Sequence, residues 1–597
     1  MLWSSAAGLG HGALLALAFE PFGLWPLALL APLPLVLAAD RCGRGGAAGW
    51  RCAVGAAAGV SPWWAWATHW TAAVSTLGYA PLVVYMSLYA GLFVWIGSRL
   101  VRRRPGLAAA AWAPVLWVGV EWLRGAVVFD GFPWYFVAHP LIEGPAGLLT
   151  WPALAAGAIG VSLLAVLPSA AVVDLLRGRR SASIVAGVVV AAWLGIGVWA
   201  HVGWSGSGPG PTQTVRVAVI QTDVPQSARQ GWSPRDRVRD WLSMREMMAR
   251  AAARDPALLV FPEGMFPGGE IDPAAVREQR EVDAGWDLRG PDGTAPEGLP
   301  AVLGWTAVHD AWMADAERLG IPMLVGGPGR DDPELETGPE GGVRLGAARS
   351  YNSVFLIEEG EVVRRYDKLF LTPFGETMPY ISAWPWLESR LLGLAARGME
   401  LVWSPGDREV VFEIGGVGGV ATPICFEATV SGVCRRLVYE DGSRAAGILV
   451  NMTNDGWFGR FDAGRLHHLQ LARWRCVELG TPMVRSANTG VSALVDRWGR
   501  VTDGGGRGDG GGPREAGVVV GAVVPGTGRT AYSVVGDAAG WLCVAGLAAG
   551  LVLGLGRGGQ TRAGVGEAEP DGSDGLRHEG PRQEAQRHEG AEACEKA

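Results

Sequence analysis

The sequence predicts two joined architectures: a membrane α-helical bundle of about eight transmembrane helices and a water-facing α/β domain. Apolar runs of roughly the 20 residues that a helix needs to cross about 30 Å of hydrocarbon crowd the first third and recur once near the end. Basic residues occupy alternate connections between these runs. The middle of the chain instead alternates short β-branched runs with helical stretches, the pattern of a two-layer sheet core with helices outside. At 597 residues the chain is too long for one compact domain. Its net charge of −7 argues against a nucleic-acid partner.

Residues 1–39 are apolar, lack the basic start of a cleaved leader, and divide at Glu20-Pro-Phe-Gly23 into two halves. Further runs follow at 52–70, 76–98, 106–123, 149–175 and 182–202, with the last at 534–556. Arg41, Arg44 and Arg51, then Arg99 with Arg102 to Arg104, then Arg177, Arg179 and Arg180, and finally Arg557 and Arg562 mark every second connection. The connections around 20–23 and 71–75 carry no Arg or Lys, and 124–148 carries only Arg124. Basic loops face the cytoplasm, so this alternation predicts both termini inside and residues from about 203 to 533 outside.

The resulting division is 1–204 as the bundle, 205–212 as a Gly/Ser/Pro linker, 213–530 as the α/β domain, 533–556 as a closing span and 557–597 as a polar tail of disordered composition. The aromatic loop from Glu121 to Tyr135 reads as an interfacial belt or a headgroup site.

Within the α/β domain, strands are expected at 214–221, 257–262, 321–327, 351–357, 361–366, 420–424, 447–451, 481–487, 490–496 and 516–523. Helices are expected at 234–253 and about 464–479. The polar stretches 270–300 and 329–349 read as loops. Residues 381–398 are amphipathic, with Trp384 and Trp386, and read as a surface helix or a segment resting on the membrane. The glycines of 504–512 lack the Lys-Ser/Thr of a phosphate cradle and read as linker. The seven cysteines show neither a metal spacing nor a disulfide framework, although Cys434 and Cys476 could pair in an oxidising compartment. The adjacent His467 and His468 show no metal-ligand spacing and read as structural.

Three residues each close or follow a strand-like run: Glu263, Lys368 and Cys425. A lone cysteine in an apolar strand is by itself ordinary core. A cysteine nucleophile needs a base for its proton and donors for the oxyanion, and a carboxylate, an ammonium and the Phe426 N–H would supply both. Of 51 lysines and arginines only Lys368 and Lys596 are lysine, so an interior lysine kept among arginines points to a task for a compact point charge.

Phe261-Pro-Glu263, Tyr366-Asp-Lys368, Pro373-Phe-Gly-Glu376 and Ile424-Cys-Phe-Glu427 resemble the nitrilase, or carbon–nitrogen hydrolase, superfamily. Thr453-Asn-Asp-Gly-Trp-Phe-Gly459, His468-Leu-Gln-Leu-Ala-Arg473, Arg485-Ser-Ala-Asn-Thr-Gly490, Glu20-Pro-Phe-Gly-Leu-Trp25 and Gly131-Phe-Pro-Trp134 narrow the resemblance to the apolipoprotein N-acyltransferase family, over nearly all of residues 5–555. The resemblance implies an α-β-β-α sandwich and a multi-pass protein of the bacterial inner membrane. It implies ping-pong acyl transfer from a phospholipid, typically phosphatidylethanolamine, to the α-amine of a diacylglyceryl-apolipoprotein. No cofactor, metal or nucleic acid is implied, and the protein is expected to be a monomer.

Carried over by motif, Cys425 would be the nucleophile, Glu263 the general base and acid, and Lys368 the oxyanion donor together with the Phe426 N–H. Glu376 and Glu427 would support them, and Trp232, Asn454 and Trp457 would lie near substrate. This chain has Phe426 and Phe261 where the family often has Tyr and Trp, and one extra residue in the loop before Trp232. A membrane-tethered amidase is the rival enzyme, and a membrane scaffold or transporter with an inactive hydrolase fold is the non-enzymatic rival.

Overall fold

In the computed structural model, residues 1–555 are described apart from 47, 146, 207–213, 226–231, 283, 291, 338–342, 382–383, 385, 387–389, 391–402 and 507–510. Among the described residues, seven apolar helices longer than one turn precede the α/β domain: α1 (Leu2–Ala18), α2 (Leu33–Arg44), α3 (Gly49–Ala67), α4 (Thr76–Arg103), α5 (Ala109–Trp122), α6 (Ala153–Leu176) and α7 (Arg180–Gly206). Among the described residues five apolar helical stretches, at 25–44, 78–103, 109–130, 153–176 and 180–202, are long and apolar enough to cross a membrane. Helix α1 and the closing helix at 538–555 are apolar but shorter. Small residues let α1 and α3 touch along their backbones: a Cβ on Gly8 would fall 2.3 Å from the Ala56 carbonyl oxygen. Asp174, at the end of α6, accepts from the Ala109 and Ala110 amides at 2.8 and 2.9 Å and so caps α5.

The α/β domain holds two six-stranded sheets. The first runs β16-β1-β2-β5-β6-β7, from Gly517–Val523, Val215–Gln221, Leu258–Val260, Met323–Thr337, Val343–Glu358 and Glu361–Asp367. The second runs β15-β14-β13-β12-β9-β8, from Val501–Gly504, Ala493–Val495, Met483–Ala487, Ile448–Thr453, Gly418–Ala421 and Val411–Ile414. The pairs β1–β2, β2–β5, β9–β12 and β12–β13 are parallel, and the remaining pairs are antiparallel.

The period of two along β1 builds the layers. Val215, Val217 and Val219 face the second sheet, while Ala218 and Ile220 pack with Met244, Met247 and Met248 of α8 (Pro234–Ala252). Trp312 of α10 (Ala307–Leu319), which follows the short α9 (Pro273–Arg280), joins that outer layer. Leu437 of α11 (Ser431–Val438) and Leu469 of α12 (Asp462–Leu479) cover the second sheet. The domain is thus a helix-sheet-sheet-helix sandwich.

Helix α12 also faces the bundle, and every residue from His467 to Leu479 is buried. Its Trp474 and Val477 pack with the bundle core, His467 accepts from the Tyr135 amide at 3.2 Å, and Arg473 pairs with Glu143 at 2.5 Å. Glu478 accepts from the Ala158 amide at 2.7 Å, where α6 departs from helical geometry at Gly157.

Three expectations need correction. The stretch 329–349 is not a loop: β5 and β6 continue through it as an antiparallel hairpin, paired from Met323↔Ile357 to Thr337↔Val343. Its polar pattern hid it, because Arg365 pairs with Asp331 and Asp272 across the sheet in place of apolar alternation. The stretch 270–300 contains α9 and the strand β3 (Gly285–Asp287), which pairs with β4 (Val302–Gly304). Cys42 and Cys52 are joined as a disulfide, whereas Cys434 and Cys476 are buried free thiols. Most of 381–398, most of the linker 205–212 and all of the tail 557–597 lie outside the described residues.

Gly157 has φ +68°, and a Cβ there would sit 2.9 Å from the Tyr532 ring. Gly157→Ala is therefore expected to cost about 1–3 kcal/mol of stability, read as a lower midpoint of thermal unfolding in detergent.

Candidate active site

The three predicted catalytic residues stand just past the ends of strands β2, β7 and β9, and the structure brings them together. Phe261 extends the β2 alignment by donating its amide to the Leu324 carbonyl at 2.9 Å, and Pro262 then ends the strand and presents Glu263. Lys368 follows β7 and ties its amide to the Asn352 carbonyl on β6 at 2.9 Å. Ile424 makes an isolated parallel bridge to Met452, and Cys425 then turns into the left-handed region with φ +50°. A non-glycine residue in that region costs of order 1–3 kcal/mol and persists only where its surroundings hold it.

A short 3-10 turn, Cys425–Thr429, starts at the cysteine, with its first internal bond from Glu427 N to the Ile424 carbonyl (3.0 Å). The Phe426 amide precedes that bond, at the open, electropositive end of the turn.

Glu427 holds the turn. Fully buried, it accepts from the Ile424 amide (2.7 Å), the Leu369 amide (2.7 Å), the Phe370 amide (2.9 Å) and the Tyr366 hydroxyl (3.0 Å). Burial pushes its carboxyl up to about 7 while these donors pull it down.

Lys368 is 1% exposed; its Nζ lies 2.6 Å from Glu376 Oε2 and 3.8 Å from Glu263 Oε1. Burial works against its charge, but Glu376, Glu263 and Cys425 outweigh it and raise its pKa. Glu376 is also desolvated, yet Lys368 and the Thr372 amide (2.8 Å) hold it below the ordinary glutamate value. Glu263 is fixed from both sides, by the Asn352 side-chain amide at 2.7 Å and the Asn454 backbone amide at 2.7 Å. Burial and the Glu263 charge push the Cys425 thiol well up, against the pull of Lys368. Cys425 is thus held toward its protonated form.

The substrate-side expectations fall in varied places. Trp457 is half-buried in the 3-10 turn Asp455–Phe458. Asn454 reaches the site through its backbone, and its side-chain oxygen accepts from Gly456 N (3.2 Å) and Asn488 Nδ2 (3.0 Å). Trp232 engages its own helix, with Nε1 donating to Asp240 at 2.9 Å and Arg237 lying over the ring. The Phe426 ring lies in a run of near-parallel rings, 5.5 Å from Trp134 and 6.0 Å from Phe370, and Phe132 stacks on Trp134 at 4.9 Å. Glu121 and Arg124 at the end of α5 hold that bundle loop, accepting from the Val137 amide (2.8 Å) and donating to the Trp134 carbonyl (2.6 Å).

Sequence reasoning missed Asn352, whose amide bridges Glu263 (2.7 Å) and Glu376 (3.3 Å). Its only signal was an asparagine inside a strand of apolar residues. Thr453, whose hydroxyl lies 3.2 Å from Cys425 Sγ, was seen only as part of a motif.

Residues 11–171 match the family described as apolipoprotein N-acyltransferase N-terminal domain, and residues 216–530 match carbon-nitrogen hydrolase. The chain is 30% identical over 529 residues to the apolipoprotein N-acyltransferase of Rhodopseudomonas palustris, covering 82% of this chain and 85% of that protein. It is 30% identical over 569 residues to that of Geobacter metallireducens, covering 90% and 92%. Among solved structures, an amidase from Nesterenkonia aligns with TM-score 0.32 and 17% identity, over 54% of this chain and 94% of that one.

Two outcomes are expected. Hydrogen bonds to charged groups contribute about 1.5–3 kcal/mol, and the Asn352 amide stabilises ionised Glu263, so Asn352→Ala should move the acid limb of the iodoacetamide alkylation rate of Cys425 to higher pH by about one to two units. Because the folded pKa of Glu376 is lowered, its ionisation stabilises the fold above the unfolded value of about 4.3, and that contribution disappears as the pH falls through the lowered folded value. The gap in unfolding midpoint between wild type and Glu376→Gln should therefore be full at pH 6–7 and close in acid.

Proposed function

The chain belongs to the apolipoprotein N-acyltransferase family, and on that premise we propose that Cys425 carries the acyl group between lipid and lipoprotein as a thioester. The protein is a membrane acyltransferase that N-acylates lipoproteins. The observation that best supports Cys425 as the carrier is the buried ammonium of Lys368, pinned by Glu376 at 2.6 Å and set 3.8 Å from Glu263, beside the strained cysteine turn.

In the first half-reaction Glu263 takes the Sγ proton as sulfur bonds to the sn-1 ester carbonyl carbon of a phospholipid, with phosphatidylethanolamine the proposed donor. Lys368 Nζ and the Phe426 N–H hold the oxyanion of the tetrahedral intermediate. The ester C–O bond then breaks, and Glu263 returns the proton to the departing lysophospholipid oxygen. In the second half-reaction the free α-amine of the S-diacylglyceryl-cysteine attacks the thioester, Glu263 takes the amine proton, and the C–S bond breaks. The proton ends on Cys425 and the acyl chain on nitrogen as an amide.

A thioester suits this exchange because an amine attacks it readily. The rings of Trp134, Phe426 and Phe370 support exclusion of water from the intermediate. The alternation of basic loops supports a catalytic domain outside the membrane and both termini in the cytoplasm.

The deciding experiment is mass spectrometry of the purified protein after incubation with phospholipid. An acyl-sized mass on the Cys425 peptide, removed by neutral hydroxylamine and absent in Cys425→Ala, is expected. Acylation elsewhere, or free fatty acid in place of an amide on an acceptor lipopeptide, would overturn the reading. Cys425→Ser is expected to lose at least about 1,000-fold in turnover, because an alkoxide is far harder to form than a thiolate. Lys368→Arg is expected to be nearly as poor, because a planar fork does not fit where a point charge sat; wild-type turnover in that variant would remove Lys368 from the oxyanion site.

A further inference from the structure

Beyond the three predicted residues, another side chain reaches the sulfur. Thr453 closes β12, and its Oγ1 lies 3.2 Å from Cys425 Sγ and 3.0 Å from Asp455 Oδ1. A hydroxyl has one proton, so it donates to one of these neighbours at a time.

The scaffold behind it is rigid and closed. Asp455 is 1% exposed and bonds His468 Nδ1 at 2.8 Å and Arg485 Nη2 at 3.0 Å. Arg485, fully buried, also donates to Asn451 Oδ1, and the Asn451 amide donates to the Pro423 carbonyl at 2.8 Å, two residues before the nucleophile. Against its burial, His468 and Arg485 hold the Asp455 carboxyl well below the usual range.

We propose that Thr453 is a further catalytic residue whose hydroxyl swings between Asp455 and Cys425, donating to the sulfur while the sulfur is charged. With Cys425 a neutral thiol, the Asp455 carboxylate is the stronger acceptor and takes the O–H. When Glu263 removes the thiol proton, the thiolate becomes a charged acceptor 3.2 Å away and the hydroxyl turns to it. Once the thioester forms, the sulfur loses its charge and the hydroxyl returns to Asp455. Thr453 neither gains nor loses a proton, and the stabilisation exists only while the sulfur is charged, which is what acceleration requires. The same donor then serves the departing thiolate in the second half-reaction.

The charged groups acting on the sulfur are Glu263 after β2, Lys368 after β7 and Asp455 in the turn after β12; Glu376 pairs with Lys368, His468 and Arg485 with Asp455, and Glu427 holds the turn that carries Cys425. The readout is therefore the apparent titration of the whole set.

The proposal rests on Cys425 as the nucleophile, and the test separates the two. Alkylation of Cys425 by iodoacetamide is followed across pH in the full-length protein in detergent, with peptide mass spectrometry as readout. Thr453→Val keeps the shape and loses the hydroxyl. It is expected to raise the midpoint by about one pH unit and to slow alkylation at pH 7 about tenfold, with kcat lowered and KM unchanged. Thr453→Ser is expected to restore the wild-type profile. If Thr453→Val fails to fold, Thr453→Ala set against Thr453→Ser makes the same comparison.

A wild-type midpoint in Val or Ala, or a Ser variant shifted as far as Val, would overturn the role of Thr453. A wild-type protein that turns over without a thioester on Cys425 would overturn the nucleophile assignment instead.

Discussion

The site depends on one buried carboxylate. Glu427 gathers the amide of Ile424, before the nucleophile, the amides of Leu369 and Phe370, after the lysine, and the hydroxyl of Tyr366 on β7. These groups come from loops more than fifty residues apart in sequence, on different sheets. Each donor would be costly to bury unpaired. The carboxylate thus satisfies the backbone and sets the distance between Cys425 and Lys368 at once. It also explains how Cys425 is held at φ +50°, since the turn that follows is tied at Ile424 and cannot relax.

A second constraint joins the sandwich to the bundle. Rings from both parts stack in one column, Phe132 and Trp134 from the bundle loop, then Phe426 and Phe370 from the α/β domain. The loop is gripped from the bundle side by Glu121 and Arg124. A substitution at the end of α5 therefore acts on the residue next to Cys425. Phe426 offers an amide and a flat apolar face at that position. The stacking uses the face, and the proposed oxyanion role needs only the amide.

Much of this was legible because the motifs sit at strand ends. A β-branched run such as Val420 to Ile424 that stops at a cysteine points to a strand there; β9 itself spans Gly418–Ala421 with only an isolated bridge at Ile424 beyond it, and the ends of β2, β7 and β9 do converge. The bundle was legible from hydropathy alone, with helices in each apolar run. What stayed hidden was structure stabilised by charge instead of apolar alternation. The β5–β6 hairpin carries Arg330, Asp331 and Arg349 where a pattern reader expects valines, and Arg365 of β7 pairs with that Asp331. Asn352 was hidden for a related reason: a polar residue in a strand shows its purpose only when its neighbour in space, Glu263, is known.

The charge balance of the cluster bears on the role proposed for Cys425, whose thiol is pushed well above neutrality. Lys368 is a single cation between Glu263 and Glu376, so with Cys425 neutral this cluster carries one net negative charge. Asp455 also acts on the sulfur, but its charge is met by Arg485. Moving a proton from Cys425 to Glu263 leaves the net charge of the cluster unchanged and shifts the negative charge from oxygen to sulfur inside the same buried site. The step does not create an ion in a low-dielectric interior, which would cost several kcal/mol; it relocates one. Lys368 remains beside the cluster before and after, and Thr453 stands where the charge arrives. On the proposed reading, the raised thiol and the neighbouring Glu263 belong to one step, in which the thiolate forms only as the carboxylate takes the proton.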